Sequence, residues 1–458
     1  MFKRILTLAA VCILVAGTFL AVNTESSQAG NGNGNGNGKG NFNAPNNGKV
    51  KNVIVLIGDG MGPSFTTAYR YMNDDPSTAK MERTVFDNHF VGNAVTNPED
   101  SEENVTDSAA AATSMSAGVK TYNGAIAVDN DRENVKTVLE AAKEKGMATG
   151  LVATSQINHA TPAAFGTHDP SRHNYNEIAD DFYDDMISGK HKVDVMLGGG
   201  TDYFKREDRN LVKEFKNDGY NYVTSTEEMQ ANDSEQLLGL FAPVGLPKAI
   251  DREENIPSLD DMTKEALEQL DKEKDGFFLM VEGSQIDWAA HANDAVSAMS
   301  EMEDLAKAFE TVIEFAKQDK HTQVVLTADH STGGFSIGRD GDYNFYPEAI
   351  EATERTPEFM AQEIVDGATV EGVLNEYVEF TFTEKELDAI KKAAASDDFD
   401  TVYSAISDVF NKRAGAGFTT SGHTGVDVPV YAYGPKSEVF SGLIDNTDIA
   451  NEVFNFLK

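Results

Sequence analysis

Residues 52–63 read Asn52-Val-Ile-Val-Leu-Ile-Gly-Asp-Gly-Met-Gly-Pro63. Val53 to Ile57 form an unbroken apolar run rich in β-branched side chains, the pattern of a strand covered on both faces. Gly58, Asp59 and Gly60 end the run with a tight turn and leave one carboxylate at the carboxyl edge of a sheet, where open α/β folds take their ligands. Ser64 to Arg70 follows as a helix. On this stretch alone, Asp59 reads equally well as the cap of that helix.

The figure recurs outward from here. Met147 to Thr154, Val193 to Leu197, Phe277 to Val281 and the run beginning at Gln323 have strand character. They alternate with helical spacing over Asn134 to Lys145, Asn176 to Ile187 and Asn293 to Phe315, and alternation of this kind predicts the α/β class. Phe86 to Val95 reads as a further strand or an irregular buried segment. Gly198-Gly-Gly200 reads as a tight turn, because the lysine and hydroxyl of a phosphate loop are missing. Stretches around 201–275 and 339–400 read as insertions at the periphery.

Several strand ends carry polar groups. Glu282 follows one strand, and the adjacent pair Asp329 and His330 follows another. Asp287 and His291 are four apart, so a helical turn puts both on one face, as a metal ligand pair or as a surface ion pair. Ser108 opens an alanine-rich helix after Thr106 and Asp107; it is either a cap or a nucleophile placed where free N–H groups favour an anion. His159 and Thr161 could place polar groups near a cation, and the planar fork of Arg172 suits a phosphate. His168 and His173 read as loop or helix-start hydrogen bonders, and His423 as a turn histidine.

Composition removes other functions. The formal charge of −37, from 75 acidic and 38 basic residues, speaks against a nucleic-acid partner and against attachment to anionic lipid. Lys3 and Arg4, the apolar segment from Ile5 to Val22 and the small residues at Ser27-Gln28-Ala29 read as a secretory signal peptide over 1–29, a retained anchor being the alternative. The single cysteine, Cys12, falls inside it, so a processed chain has neither disulfides nor thiolate chemistry. Residues 30–48, dominated by glycine and asparagine, read as a flexible tether. A secreted, periplasmic or cell-surface protein without a stable membrane span is the expectation.

Six stretches together resemble the alkaline phosphatase family across residues 49–458: IGDGMG at 57–62, TDSAAAATSMSAGVKTYNG at 106–124, HATPAAF at 159–165 with Ser171 and Arg172, VEGSQIDWAAH at 281–291, TADHSTGG at 327–334 and GHTG at 422–425. The resemblance implies a central, mostly parallel sheet flanked by helices, in one catalytic domain, commonly as a homodimer. It implies hydrolysis of small phosphate monoesters to an alcohol and inorganic phosphate through a phosphoserine at Ser108, with Arg172 on the phosphoryl group. Two Zn2+ and one Mg2+ per subunit are implied. The first zinc falls to Asp287, His291 and His423, the second to Asp59, Asp329 and His330, and the magnesium to Asp59, Thr161 and Glu282. Two positions depart from the enterobacterial form, which has aspartate at His159 and lysine at Trp288; both lie near the third metal or the phosphate. A phosphodiesterase or sulfatase within the same superfamily is the alternative, and the sequence around Ser108 lacks the modification context of a sulfatase. A non-catalytic phosphate-binding protein is the reading outside the enzymes.

Overall fold

The computed structural model describes residues 48–458. The stretches expected to be a signal peptide (1–29) and, but for Gly48, a tether (30–48) lie outside the described residues. Ten strands form one sheet: β1 (Asn52–Gly58), β2 (Phe90–Val95), β3 (Ala148–Gln156), β4 (Val195–Gly199), β5 (Asn221–Val223), β6 (Leu237–Leu240), β7 (Phe277–Gly283), β8 (Thr322–Thr327), β9 (Val428–Tyr433) and β10 (Gly442–Asp445). Their order is β10-β2-β9-β8-β1-β7-β3-β4-β6-β5. Only β9 runs against its neighbours β8 and β2; every other pairing is parallel.

All seven residues of β1 are buried, as its unbroken apolar run requires of a strand covered by helices on both faces. Register then places the chemistry. Ile57 lies beside both Glu282 of β7 and Thr327 of β8, and Glu282 lies beside Ala153 of β3. β8, β1 and β7 thus end at one level, and β3 continues past it to Gln156. Asp59, Glu282, the Asp329-His330 pair and the turn through His159 all leave the sheet at its carboxyl edge.

Helices follow these turns. Pro63–Met72 (α1) starts with proline at its first position, which needs no N–H there. Ser108–Ala117 (α2) is buried at all ten residues and packs against Ala160–Gly166 (α3) and the carboxyl-terminal helix Asn446–Phe456. Small alanine side chains let those helices approach on every side. Gln285–His291 (α4) packs against the long Ala295–Asp319 (α5), which packs on β1, β7 and β8. Among the described residues, no helix is long and apolar enough to cross a membrane.

Some elements differ from the sequence reading. Phe86 to Val95 divides: Val85–His89 is a short helix capped by Thr84 and Asp87 in a reciprocal box, and only Phe90 onward is strand. The helix sought from Asn134 begins at Val138, where Thr137 and Glu140 form a second such box. The one sought over Asn176 to Ile187 ends at Asp184, and Met186–Ile187 pairs back with Lys190–His191. Within 201–275, β5 and β6 extend the central sheet by two edge strands. Gly198 and Gly199 lie in β4; a Cβ on Gly199 would lie 1.7 Å from the Val244 carbonyl oxygen, so this glycine admits a neighbouring loop.

Candidate active site and metal centre

Ser108 is the first residue of α2, and the Asp107 carboxylate caps that helix by accepting from Ala110 N. Ser108 is 1% exposed, and its hydroxyl lies 3.1 Å from His330 Nε2. Arg172 reaches the same helix end: Nη1 donates to Asp107 Oδ2 at 3.0 Å, and Nη2 meets His159 Nε2 at 3.2 Å. A guanidinium can only donate, so His159 Nε2 accepts and its proton stands on Nδ1. Burial, and then Arg172, push the His159 pKa down to about 3, which keeps the ring neutral.

Three groups of ligating side chains surround Ser108: Asp287 with His291 and His423; Asp59 with Asp329 and His330; Asp59 with His159 and Glu282. The ligand atoms within each group lie within 4.8 Å of one another. Hydrogen bonds fix the imidazole tautomers. His291 Nδ1 faces the Ser421 carbonyl at 2.5 Å and His423 Nδ1 the Thr106 carbonyl at 2.9 Å. Carbonyls only accept, so both Nδ1 atoms carry hydrogen and both Nε2 atoms present lone pairs. Those lone pairs face each other at 3.1 Å, with Asp287 3.2 Å from one and 3.7 Å from the other. Such a meeting is repulsive without a cation to share.

The same logic runs through His330. The Thr332 hydroxyl donates to Asp287 Oδ1 at 2.5 Å, so its oxygen accepts from His330 Nδ1 at 3.2 Å. His330 Nε2 is left facing Asp329 at 3.0 Å, Asp59 at 3.6 Å and Ser108. A short antiparallel ladder, Ser331–Thr332 on His423–Thr424, places Thr332 beside His423 and sets the two imidazoles face to face at 3.6 Å.

Four carboxylates, Asp59, Glu282, Asp287 and Asp329, are at most 4% exposed here. Both oxygens of Asp59, one each of Glu282 and Asp329, and the Thr161 hydroxyl have no hydrogen-bond partner, an arrangement buried oxygens avoid unless they ligate. Burial, followed by Asp329, Asp287 and Glu282, raises the Asp59 pKa well above the carboxylate range, and burial takes Glu282 to about 7. Burial opposes charge on His330 too, yet Asp329 outweighs it and raises the pKa. Burial, then His330, lowers His423 to about 4. The carboxylates demand positive charge, and the free lone pairs and oxygens converge where cations would supply it. The donor set therefore fits a multi-metal centre.

Ser108, Arg172, His159, Asp59, Glu282, Asp287, His291, Asp329, His330 and His423 come together here. Trp288 meets His159 edge-on, their ring centroids 5.6 Å apart. His168 lies elsewhere, bonded to Ala127 O and Glu140, and the backbone N–H of His173 donates to Ser171 Oγ. Thr332 and the second duty of Asp107, pinning Arg172, went unread. Thr332 lies in TADHSTGG, but only the fold shows which atoms its hydroxyl joins.

A hydroxyl at a buried helix start, a guanidinium beside it and clustered ligands for several cations define a metal-dependent phosphomonoester hydrolase working through a phosphoserine. Comparison with known proteins agrees. The family described as alkaline phosphatase matches residues 50–458. Alkaline phosphatase 3 of Bacillus subtilis (strain 168) is 61% identical over 416 residues, covering 90% of each chain. Alkaline phosphatase 4 of the same organism is 50% identical, covering 100% of this chain and 97% of its own. The crystal structure of a cold-active alkaline phosphatase from a psychrophilic Shewanella sp. superposes with a TM-score of 0.84 at 41% identity, covering 89% of this chain and 100% of that one. The chain belongs to the alkaline phosphatase family.

Proposed function

We propose that Ser108 is the nucleophile of this phosphomonoesterase and that Arg172 clamps the phosphoryl group. The observation that carries the reading is the Ser108 hydroxyl, 3.1 Å from His330 Nε2, with the Arg172 fork held on the neighbouring Asp107. The serine oxygen attacks phosphorus, the ester bond to the alcohol breaks, and phosphoserine forms. Arg172 holds nonbridging oxygens through two of its N–H groups, while the N–H groups at the start of α2 face the same anion. Asp107 and His159 hold the guanidinium for this task. Water then cleaves the phosphoserine and releases inorganic phosphate.

Asp287, His291 and His423 would hold one zinc, and Asp59, Asp329 and His330 a second; mixed oxygen and nitrogen ligands suit that ion. Asp59, Glu282 and Thr161 would hold a magnesium through oxygen, with His159 at its margin. When bound, these ions supply Lewis acidity that lowers the proton affinity of the attacking oxygens and takes up charge on the leaving alcohol. Residues 1–29 act in this reading as a removable signal and 30–48 as a tether, delivering residues 49–458 as one catalytic domain outside the cytoplasm, commonly as a homodimer.

The test is hydrolysis of a chromogenic phosphomonoester by the purified chain, with metal content measured alongside. Turnover that scales with zinc content and collapses in Ser108→Ala supports the assignment. Full zinc occupancy without turnover contradicts it and favours a phosphate-binding protein.

A further inference from the structure

Trp288 is the only tryptophan of the chain, and it stands beside the phosphate clamp. Its ring meets His159 at 76°, and His159 in turn accepts from Arg172. The loop that follows β6 is fitted against the same ring. Gly245 touches it closely enough that a Cβ there would lie 2.5 Å from Cζ3, and Lys248 Nζ stands 5.6 Å from the ring centroid. An ammonium so placed is attracted to the indole face.

Lys248 is held firmly. Its ammonium donates to Gln285 Oε1, while Gln285 Nε2 donates to the Leu246 carbonyl at 2.8 Å, so loop and α4 grip each other at two points. Its side chain is only 10% exposed, and the carboxylate paired with it, Glu358, is 3.8 Å away. The loop's continuation is anchored by Ala249 N to Glu301 at 2.7 Å and by Arg252 to Asp304 at 2.7 Å. Asp251 accepts from Thr356 N at 3.0 Å, which ties the loop to the stretch around 353–358.

We infer that Lys248 is a positioning residue that sets the affinity for phosphate by holding Trp288 against His159, and through His159 the guanidinium of Arg172. This rests on the reading of Arg172 as the phosphoryl clamp. With Lys248 in place the indole is fixed between a cation and the imidazole, and the guanidinium keeps one orientation. Without it the ring has freedom to turn, and the clamp loosens on substrate and product alike.

The experiment compares the parent with Lys248→Met, which keeps the aliphatic stem, and Lys248→Arg, which restores the cation. In Lys248→Met the inhibition constant of inorganic phosphate and the KM of a chromogenic ester rise together by about three- to tenfold, the scale of a lost cation–π contact and hydrogen bond. The kcat is not lowered, metal content stays at the parent's, and emission from the lone tryptophan changes. Lys248→Arg recovers both constants. In a Trp288→Phe background, Lys248→Met has a smaller effect, because the ring it acts through is gone. Unchanged phosphate inhibition overturns the inference, as does a fall in kcat with KM unmoved or a loss of metal. A parent without turnover instead sinks the phosphatase reading, and phosphate binding measured by calorimetry still decides the role of Lys248.

Discussion

Asp107 joins two tasks that one substitution separates. Its carboxylate caps α2 through Ala110 N and pins Arg172 through Nη1. Asn is as good a cap as Asp but leaves the guanidinium without its anion. Asp107→Asn therefore keeps thermal stability close to the parent's and raises KM, whereas Asp107→Ala also loses about 1 kcal/mol from the helix start. Thermal melts and steady-state kinetics on the pair separate the two effects. Arg172→Ala removes the proposed clamp and is expected to lower kcat/KM on the order of 10²-fold, the cost of one preorganised donor to a developing anion. A kcat/KM within a factor of three of the parent's would show that the phosphoryl group is held elsewhere.

Turns carry as much of the site as helices do. Gly60 has φ +73°, and a Cβ there would fall 2.8 Å from Thr332 Oγ1 and 2.9 Å from Asp287 Cα. Gly60→Ala therefore strains the backbone and pushes apart two side chains that set ligand geometry, at a cost of about 1–3 kcal/mol. A lowered denaturation midpoint together with reduced metal content checks this. The turns also explain what the sequence made legible. Asp59, Glu282 and Asp329 follow apolar runs, so strand polarity alone sends them to one edge. His423 is different: a two-residue ladder, Ser331–Thr332 on His423–Thr424, brings it to His291 by closing a loop of about ninety positions, and local patterning carries no trace of it. The division of Phe86 to Val95 was hidden for another reason. Apolar spacing there suits either element, and the capping box of Thr84 and Asp87 decides for helix. Lys248 lay in a loop with no motif, so its contact with Trp288 emerges only from tertiary packing.

The chain carries a formal charge of −37 and buries several of its carboxyl groups in the interior. Ionised together, the four buried carboxylates around Ser108 would repel one another until cations joined them, so metal binding is expected to couple to folding. Chelation lowers the melting temperature, and added zinc restores it; a melt indifferent to chelator would contradict the coupling. Acid acts through a second place. Burial opposes ionisation of Glu140, but His168 and Lys192 outweigh it and lower its pKa from 4.5 to about 2. A carboxylate whose pKa is lower in the folded chain stabilises above its unfolded value and loses that contribution as pH falls through the folded one. Glu140→Gln accordingly flattens the loss of stability between about pH 4.5 and 2, read from denaturant midpoints across that range. The most direct measurement concerns the hydroxyl on which the chemistry converges: acid quenching during turnover of a phosphomonoester, followed by mass spectrometry of the peptide that holds Ser108. Phosphate bound covalently to Ser108 in the parent, and to no residue in Ser108→Ala, is the predicted result. Undiminished turnover in Ser108→Ala, with no phosphoryl group on this helix, would contradict it.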